Sequence, residues 1–184
     1  MLQVTHRALT RYDYANLPEF GPRYQLIEGE LHMAPAPNRY HQDISRNLEW
    51  ILLRHLDEHS IGILYHAPFD VYLTDINVYQ PDIIFVSKAN EHILTEAGAE
   101  GAPDLVVEIL SPKTARFDKE PKREIYARTG VTELWIIDPE SRTLSRYCLR
   151  ENSQTPVAVL RETDSLETPL FPGLRIALAG VFKK

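Results

Sequence analysis

The sequence predicts a mixed α/β fold, with a central β-sheet flanked by helices. Three observations carry that expectation. A long amphipathic helix fits residues 38–58, because Ile44, Leu48, Ile51, Leu52 and Leu56 recur at spacings of three and four. Two short apolar runs, residues 82–86 and 104–110, are hardly interrupted by polar side chains, as in strands buried on both faces. Further strand-like segments follow in quick order, so the helices are expected to pack on one sheet. A length of 184 residues suits one domain over residues 1–184.

The elements follow in order. Residues 10–17 read as a short helix, with Thr10 as N-cap and Asp13 as the acid of a capping box. Residues 24–33 place apolar residues around Glu28-Gly29 and read as a hairpin turning at Gly29. A Pro-rich stretch ends it, and Asn38 is placed to cap the long helix. Residues 62–66 and 69–74 read as one bent strand or two. The runs at 82–86 and 104–110 each begin just after a proline, Pro81 or Pro103. A second helix over residues 119–129 stops at Gly130, a favoured residue past a helix end. Residues 134–139 form another strand, 144–149 and 157–160 a closing meander, and 171–178 a final edge strand.

Composition narrows the function. A net charge of −6 and a pI near 5.6 argue against a protein that coats nucleic acid by bulk attraction. They leave room for clustered carboxylates around a metal ion. The single cysteine, Cys148, has no internal partner, and no Cys/His zinc spacing is present. No apolar run spans a bilayer and the N-terminus lacks an apolar leader core, so a cytoplasmic protein without a membrane partner is expected.

Acids inside apolar strands are the chemical signal. On a strand, Glu108 shares a face with Val106 and Leu110. Burying a lone carboxylate costs several kcal/mol even after relaxation, so it calls for a cation, a metal or a proton. Asp82 opens the other run in the same way. Two carboxylates from neighbouring strands suit a hard cation such as magnesium, with manganese as a substitute. The structural alternative is that Asp82 caps the turn after Pro81 and Glu108 pairs with an arginine. Asp118, Lys122 and Tyr126 are spaced four apart and so share one helical face. A lysine there is within reach of the carboxylates, although a solvated charged face reads the same way. His41, at a helix start, is either a surface residue or a site histidine.

These segments together resemble one family. Residues 26–31 (Leu-Ile-Glu-Gly-Glu-Leu), His41-Gln42, Gln80-Pro81-Asp82-Ile83 and residues 102–112 are similar to the Uma2 family of restriction-endonuclease-like proteins, common in bacteria. The likeness continues through Thr114, Asp118, Lys122 and Tyr126 to residues 133–139, in order along most of residues 10–180. It implies a restriction endonuclease-like fold of the PD-(D/E)XK superfamily. It implies Asp82 as the first metal acid, Glu108 as the second, and Glu30 as an acid from the N-terminal part. The superfamily lysine expected two residues after Glu108 falls at Leu110, and the resemblance moves it to Lys122. The backbone carbonyl of Ile109 completes the expected metal set, with Tyr126, His41 and Asp118 as accessory residues. The implied activity is magnesium-dependent hydrolysis of DNA phosphodiester bonds by a homodimer. The alternative is an inactive nuclease-fold module that binds nucleic acid or a protein partner. Three positions depart from the family: Gln25 stands where an acid is usual, Glu28 where Asp is usual, and Lys113 where serine is frequent.

Overall fold

The computed structural model describes residues 7–18, 21–34, 36–111 and 119–184. Thr10 caps the first helix, α1 (Arg11–Ala15). Its hydroxyl accepts from the Asp13 N–H, and the Asp13 carboxylate accepts from the Thr10 N–H at 2.8 Å. Strands β1 (Tyr24–Ile27) and β2 (Glu30–Met33) pair antiparallel across the two-residue turn Glu28-Gly29, both at positive φ. That geometry matches the twist of the flanking strands. A Cβ on Gly29 would lie 2.6 Å from the Ala8 Cβ, so glycine is required there for space as well as for φ. Helix α2 (Arg39–Glu58) follows its cap Asn38, and Ile44, Leu48 and Leu52 on its inner face are fully buried. Each such side chain contributes about 1.5–3 kcal/mol from burial.

Next along the chain come β3 (Gly62–His66), β4 (Val71–Thr74), β5 (Asn77–Tyr79) and β6 (Ile83–Ser87). A 3-10 turn (Lys88–Ile93) leads to the short strands β7 (Leu94–Thr95) and β8 (Gly98–Ala99), and then to β9 (Leu105–Ile109). Helix α3 (Lys119–Thr129) precedes β10 (Glu133–Asp138), β11 (Thr143–Cys148) and β12 (Ala158–Arg161). Strands β13 (Ser165–Leu166) and β14 (Ile176–Ala177) and helix α4 (Leu178–Val181) complete the chain.

The main sheet has the order β12-β11-β10-β9-β6-β3. Only β9 and β10 run parallel, joined through α3, so the sheet is mixed. One face carries Ile83, Phe85, Leu105, Val107, Trp135 and Ile137, which pack against α2 and the C-terminal residues Leu178, Val181 and Phe182. The other carries Ile84, Val86, Val106 and Ile136, which pack against α3 and a second sheet of order β2-β1-β5-β4-β8-β7. Burial on both faces explains why β6 and β9 read as unbroken apolar runs.

One open reading is resolved and one expectation needs correction. Residues 62–66 and 69–74 are separate strands, and they lie in different sheets. The expected edge strand over 171–178 shrinks to Ile176–Ala177, paired only with β13, because Pro172-Gly173 breaks the segment and α4 starts at Leu178.

Candidate active site

Register decides where the two acids go. Strands β6 and β9 are antiparallel, with Ile83 opposite Val107 and Ile84 opposite Val106. One step further along the same ladder sets Asp82 opposite Glu108. Directly opposed residues project to the same face, with Cβ atoms roughly 4.5–5.5 Å apart. Both acids therefore stand together at one end of the main sheet, on the side covered by α3. They line a cavity of about 420 Å³ with His41, Ile109 and Lys122.

Each carboxylate has its own supports. Asp82 Oδ2 accepts from the Ile109 N–H at 2.6 Å, and Oδ1 lies 3.3 Å from His41 Nε2. Glu108 Oε1 accepts from Tyr126 Oη at 2.6 Å and pairs with Lys122 Nζ at 3.2 Å. Lys122 also lies 5.5 Å from the centre of the Tyr79 ring, which meets Tyr126 edge-on. His41 is held by the start of α2, where its backbone N–H donates to the Asn38 cap at 2.9 Å. The residue is 7% exposed, and Nδ1 has no hydrogen-bond partner among the described residues.

The electrostatics of the site follow from burial and charge. Loss of water pushes the Glu108 carboxyl above its ordinary value, and repulsion from Asp82 adds to this. Lys122 and Tyr126 pull the other way without cancelling it. Burial and then the Glu108 charge hold the Tyr126 phenol well above its ordinary value, so it stays a proton donor to Glu108. Burial pulls the His41 imidazole down, but hydrogen bonding to Asp82 and the charge of Asp82 outweigh it and raise the pKa. Tyr126→Phe is expected to destabilise the protein by about 1.5–3 kcal/mol at neutral pH, since it removes a hydrogen bond to a charged group. Chemical denaturation at pH 7.5 measures this, and an unchanged midpoint would show that the phenol does not hold Glu108.

The expected residues do not all arrive. Asp82, Glu108, Ile109, Lys122, Tyr126 and His41 come together. Glu30 does not: it begins β2, the edge strand of the second sheet, with its side chain 82% exposed and 3.9 Å from His32. It sits at the turn end of the hairpin, so its pairing with Ile27 carries it away from the cavity. Asp118 and Lys113 lie outside the described residues. Neither structural alternative holds as framed, because Asp82 binds Ile109 and His41, and the cation on Glu108 is a lysine. Sequence reasoning passed over Gln80, Arg23 and His66 as residues of the cavity wall. Only Gln80, beside Asp82, carried a local signal; the other two reach the cavity by tertiary folding.

The model of the Uma2 family, described as "Putative restriction endonuclease", matches residues 11–179. The chain belongs to the Uma2 family. A search of the curated proteins finds no match. Among solved structures, a "putative nuclease belonging to DUF820" from Anabaena variabilis ATCC 29413 superposes with a TM-score of 0.79. It is 22% identical, and the match covers 95% of this chain and 97% of that one. At that identity the likeness shows the fold that the Uma2 chain shares. Among the described residues of this Uma2 member, no helix is long and apolar enough to cross a membrane.

The fit of a divalent cation rests on the donor set. Among the described residues, no group of three or more His, Cys, Asp and Glu side chains is arranged to hold a metal. Two opposed carboxylates are present, however, and a third oxygen, Gln25 Oε1, lines the same cavity, buried and without a hydrogen-bond partner among the described residues. Magnesium needs only one or two carboxylates, with waters and substrate phosphate completing its shell. The residues present therefore fit such an ion.

Proposed function

We propose that residues 1–184 act as one nuclease domain, a magnesium-dependent endonuclease that hydrolyses DNA phosphodiester bonds. The single observation that carries this reading is the placement of Asp82 opposite Glu108, with Lys122 on the same carboxylate. Asp82, Glu108 and the Ile109 carbonyl would hold the ion. When bound, a divalent cation supplies polarisation of the scissile phosphate and a water of lowered pKa. The protein's own groups do the rest. His41 and the Ile109 N–H fix the Asp82 carboxylate from two sides. Tyr126 fixes Glu108, so neither acid must reorganise when substrate enters. Lys122, leaning over Tyr79, is placed to orient the attacking water and to stabilise charge that develops on the phosphate. Cutting both strands of a duplex calls for two such sites, so a homodimer belongs to the proposal.

The rival reading is a nuclease-fold module that binds nucleic acid or a protein without cutting. It draws on the small number of acids in the cavity and on the net charge of −6. Incubating the protein with supercoiled plasmid and magnesium or manganese separates the two. Nicking that disappears in EDTA supports the nuclease. Plasmid that is retarded on a gel but stays intact supports the binding module.

A further inference from the structure

Strand β3 ends the main sheet, and its outer edge is open. The Lys88 N–H donates to the Ile61 carbonyl, and the Ala67 N–H donates to the Asp82 carbonyl. Residues 61, 63, 65 and 67 therefore bond to β6, and the N–H and C=O groups of Gly62, Leu64 and His66 point away from it. Those groups have no hydrogen-bond partner among the described residues. Such a row is a template for another strand, and proteins commonly blunt it with lysine, proline or a bulge. Residues 62–66 include neither lysine nor proline, and their register on β6 is unbroken. The opposite edge, β12, is blunted: the Asp164 carboxylate takes the Arg161 N–H at 2.8 Å.

Two copies of β3 complement each other about a two-fold axis at Leu64. Antiparallel pairing sets Leu64 against the partner's Leu64 and Gly62 against the partner's His66, so each outward N–H meets a carbonyl. On the α2 side, the partner's His66 crosses a glycine that leaves it room. His66 lies 3.8 Å from Glu49, which fixes the level of α2 over β3. Leu53, one turn on from Glu49 and 39% exposed, is then level with Leu64, and the exposed Asp57 is level with Gly62. Leu53 thus stands near its own copy at the axis, and the Asp57 carboxylate faces the partner's imidazole. On the other side of the sheet Ile63, also 39% exposed, falls opposite the partner's Tyr65, a favourable cross-strand pair. We propose that β3 is the homodimer interface, joining the main sheets of two copies of this chain edge to edge. The assignment rests on the homodimer of the reading above, and not on hydrolysis. The axis stands perpendicular to the joined sheet, so both cavities open on the same face. Asp82 sits beside Ala67, three residues from the axis and one strand in. At about 3.3 Å per residue and about 4.8 Å per strand, the two Asp82 residues lie on the order of 25 Å apart, within reach of one duplex.

Light scattering on gel filtration should find the wild-type chain a dimer and Ile63→Lys a monomer, with association weakened at least about 30-fold. The contact itself is read by cross-linking in a Cys148→Ser background, which removes the single cysteine. One preparation carries Ile63→Cys and the other Tyr65→Cys; the two are mixed and oxidised. Positions 63 and 65 of opposite copies form a close pair with Cα atoms about 4.5 Å apart, whereas like positions lie about 8 Å apart, too far for a disulfide. The mixture should give a disulfide-linked dimer on a non-reducing gel, and neither preparation alone should do so. A dimer that Ile63→Lys leaves intact and that gives no mixed cross-link would overturn the β3 assignment alone. A wild-type chain that stays monomeric at about 100 μM would overturn the homodimer and this interface with it. Melting curves check folding, and if one variant does not fold the other measurement decides. None of these readouts needs magnesium or DNA, so a dimer that never cuts DNA would count against the nuclease and leave the interface standing.

Discussion

Asp82→Asn should lower magnesium-dependent nicking of plasmid DNA on the order of 10²–10³-fold, the scale seen when one preorganised electrostatic group leaves an active site. The substitution is chosen because it keeps the shape. An amide oxygen in place of Oδ2 still accepts from the Ile109 N–H, now 2.6 Å away. What disappears is the negative charge that would attract the cation and that raises the His41 pKa. Two readouts follow. Nicking rates over a magnesium series should collapse, while the melting temperature in EDTA moves little. Equal nicking by both proteins would remove Asp82 from the site. An unfolded variant would redirect the question to Glu108→Gln, for which the same loss is expected.

The second large effect concerns stability. Glu133 opens β10, opposite Leu105 and three positions along the ladder from the Ile136–Glu108 pair, and is 3% exposed. Its carboxylate accepts from the Trp135 indole at 2.9 Å, from the Thr168 hydroxyl at 2.6 Å, and from the Arg146 guanidinium through two nitrogens. Glu133→Ala strips all of these partners and leaves a largely buried arginine uncompensated. A loss of about 3–5 kcal/mol is expected, which at this size lowers the melting temperature by roughly 6–20 °C. Burial acts to raise the Glu133 pKa, but the bonds from Arg146, Thr168 and Trp135 prevail and leave it lowered. A depressed carboxylate gives stability that is present above its unfolded pKa and is lost as pH falls through the folded one. Wild type should therefore weaken below about pH 4.5 more steeply than Glu133→Ala. Parallel acid slopes for the two proteins would refute this account.

Much of this architecture was legible in the sequence, for reasons that can be named. Strands β6 and β9 stood out because burial on both faces leaves no room for polar alternation. Helix α2 stood out because Ile44, Leu48 and Leu52 keep a helical period over about two turns. Asp82 and Glu108 stood out as charges where water is absent. The second sheet was largely hidden: β5, β7 and β8 are two or three residues long and too short to show a period. The bond from His41 to Asp82 joins a helix start to a strand start 41 positions on, and no local pattern encodes it. Glu30 misled because its place in a motif does not reveal which strand edge it will occupy. Glu133 was passed over for the opposite reason, since its three partners come from β10, β11 and the segment around Thr168.

The ladder between β6 and β9 ties chemistry to parity. Side chains alternate along a strand, so slipping β6 by one residue would swap its two sets of side chains. Ile83 and Phe85 would leave α2 for α3, and Asp82 would turn its carboxylate away from Glu108. The same slip that disorders the hydrophobic layers would therefore dismantle the acid pair. Single-residue insertions between Pro81 and Ile83 thus cannot retune the centre gradually; the interior acts as a proofreader for the alignment of the two acids.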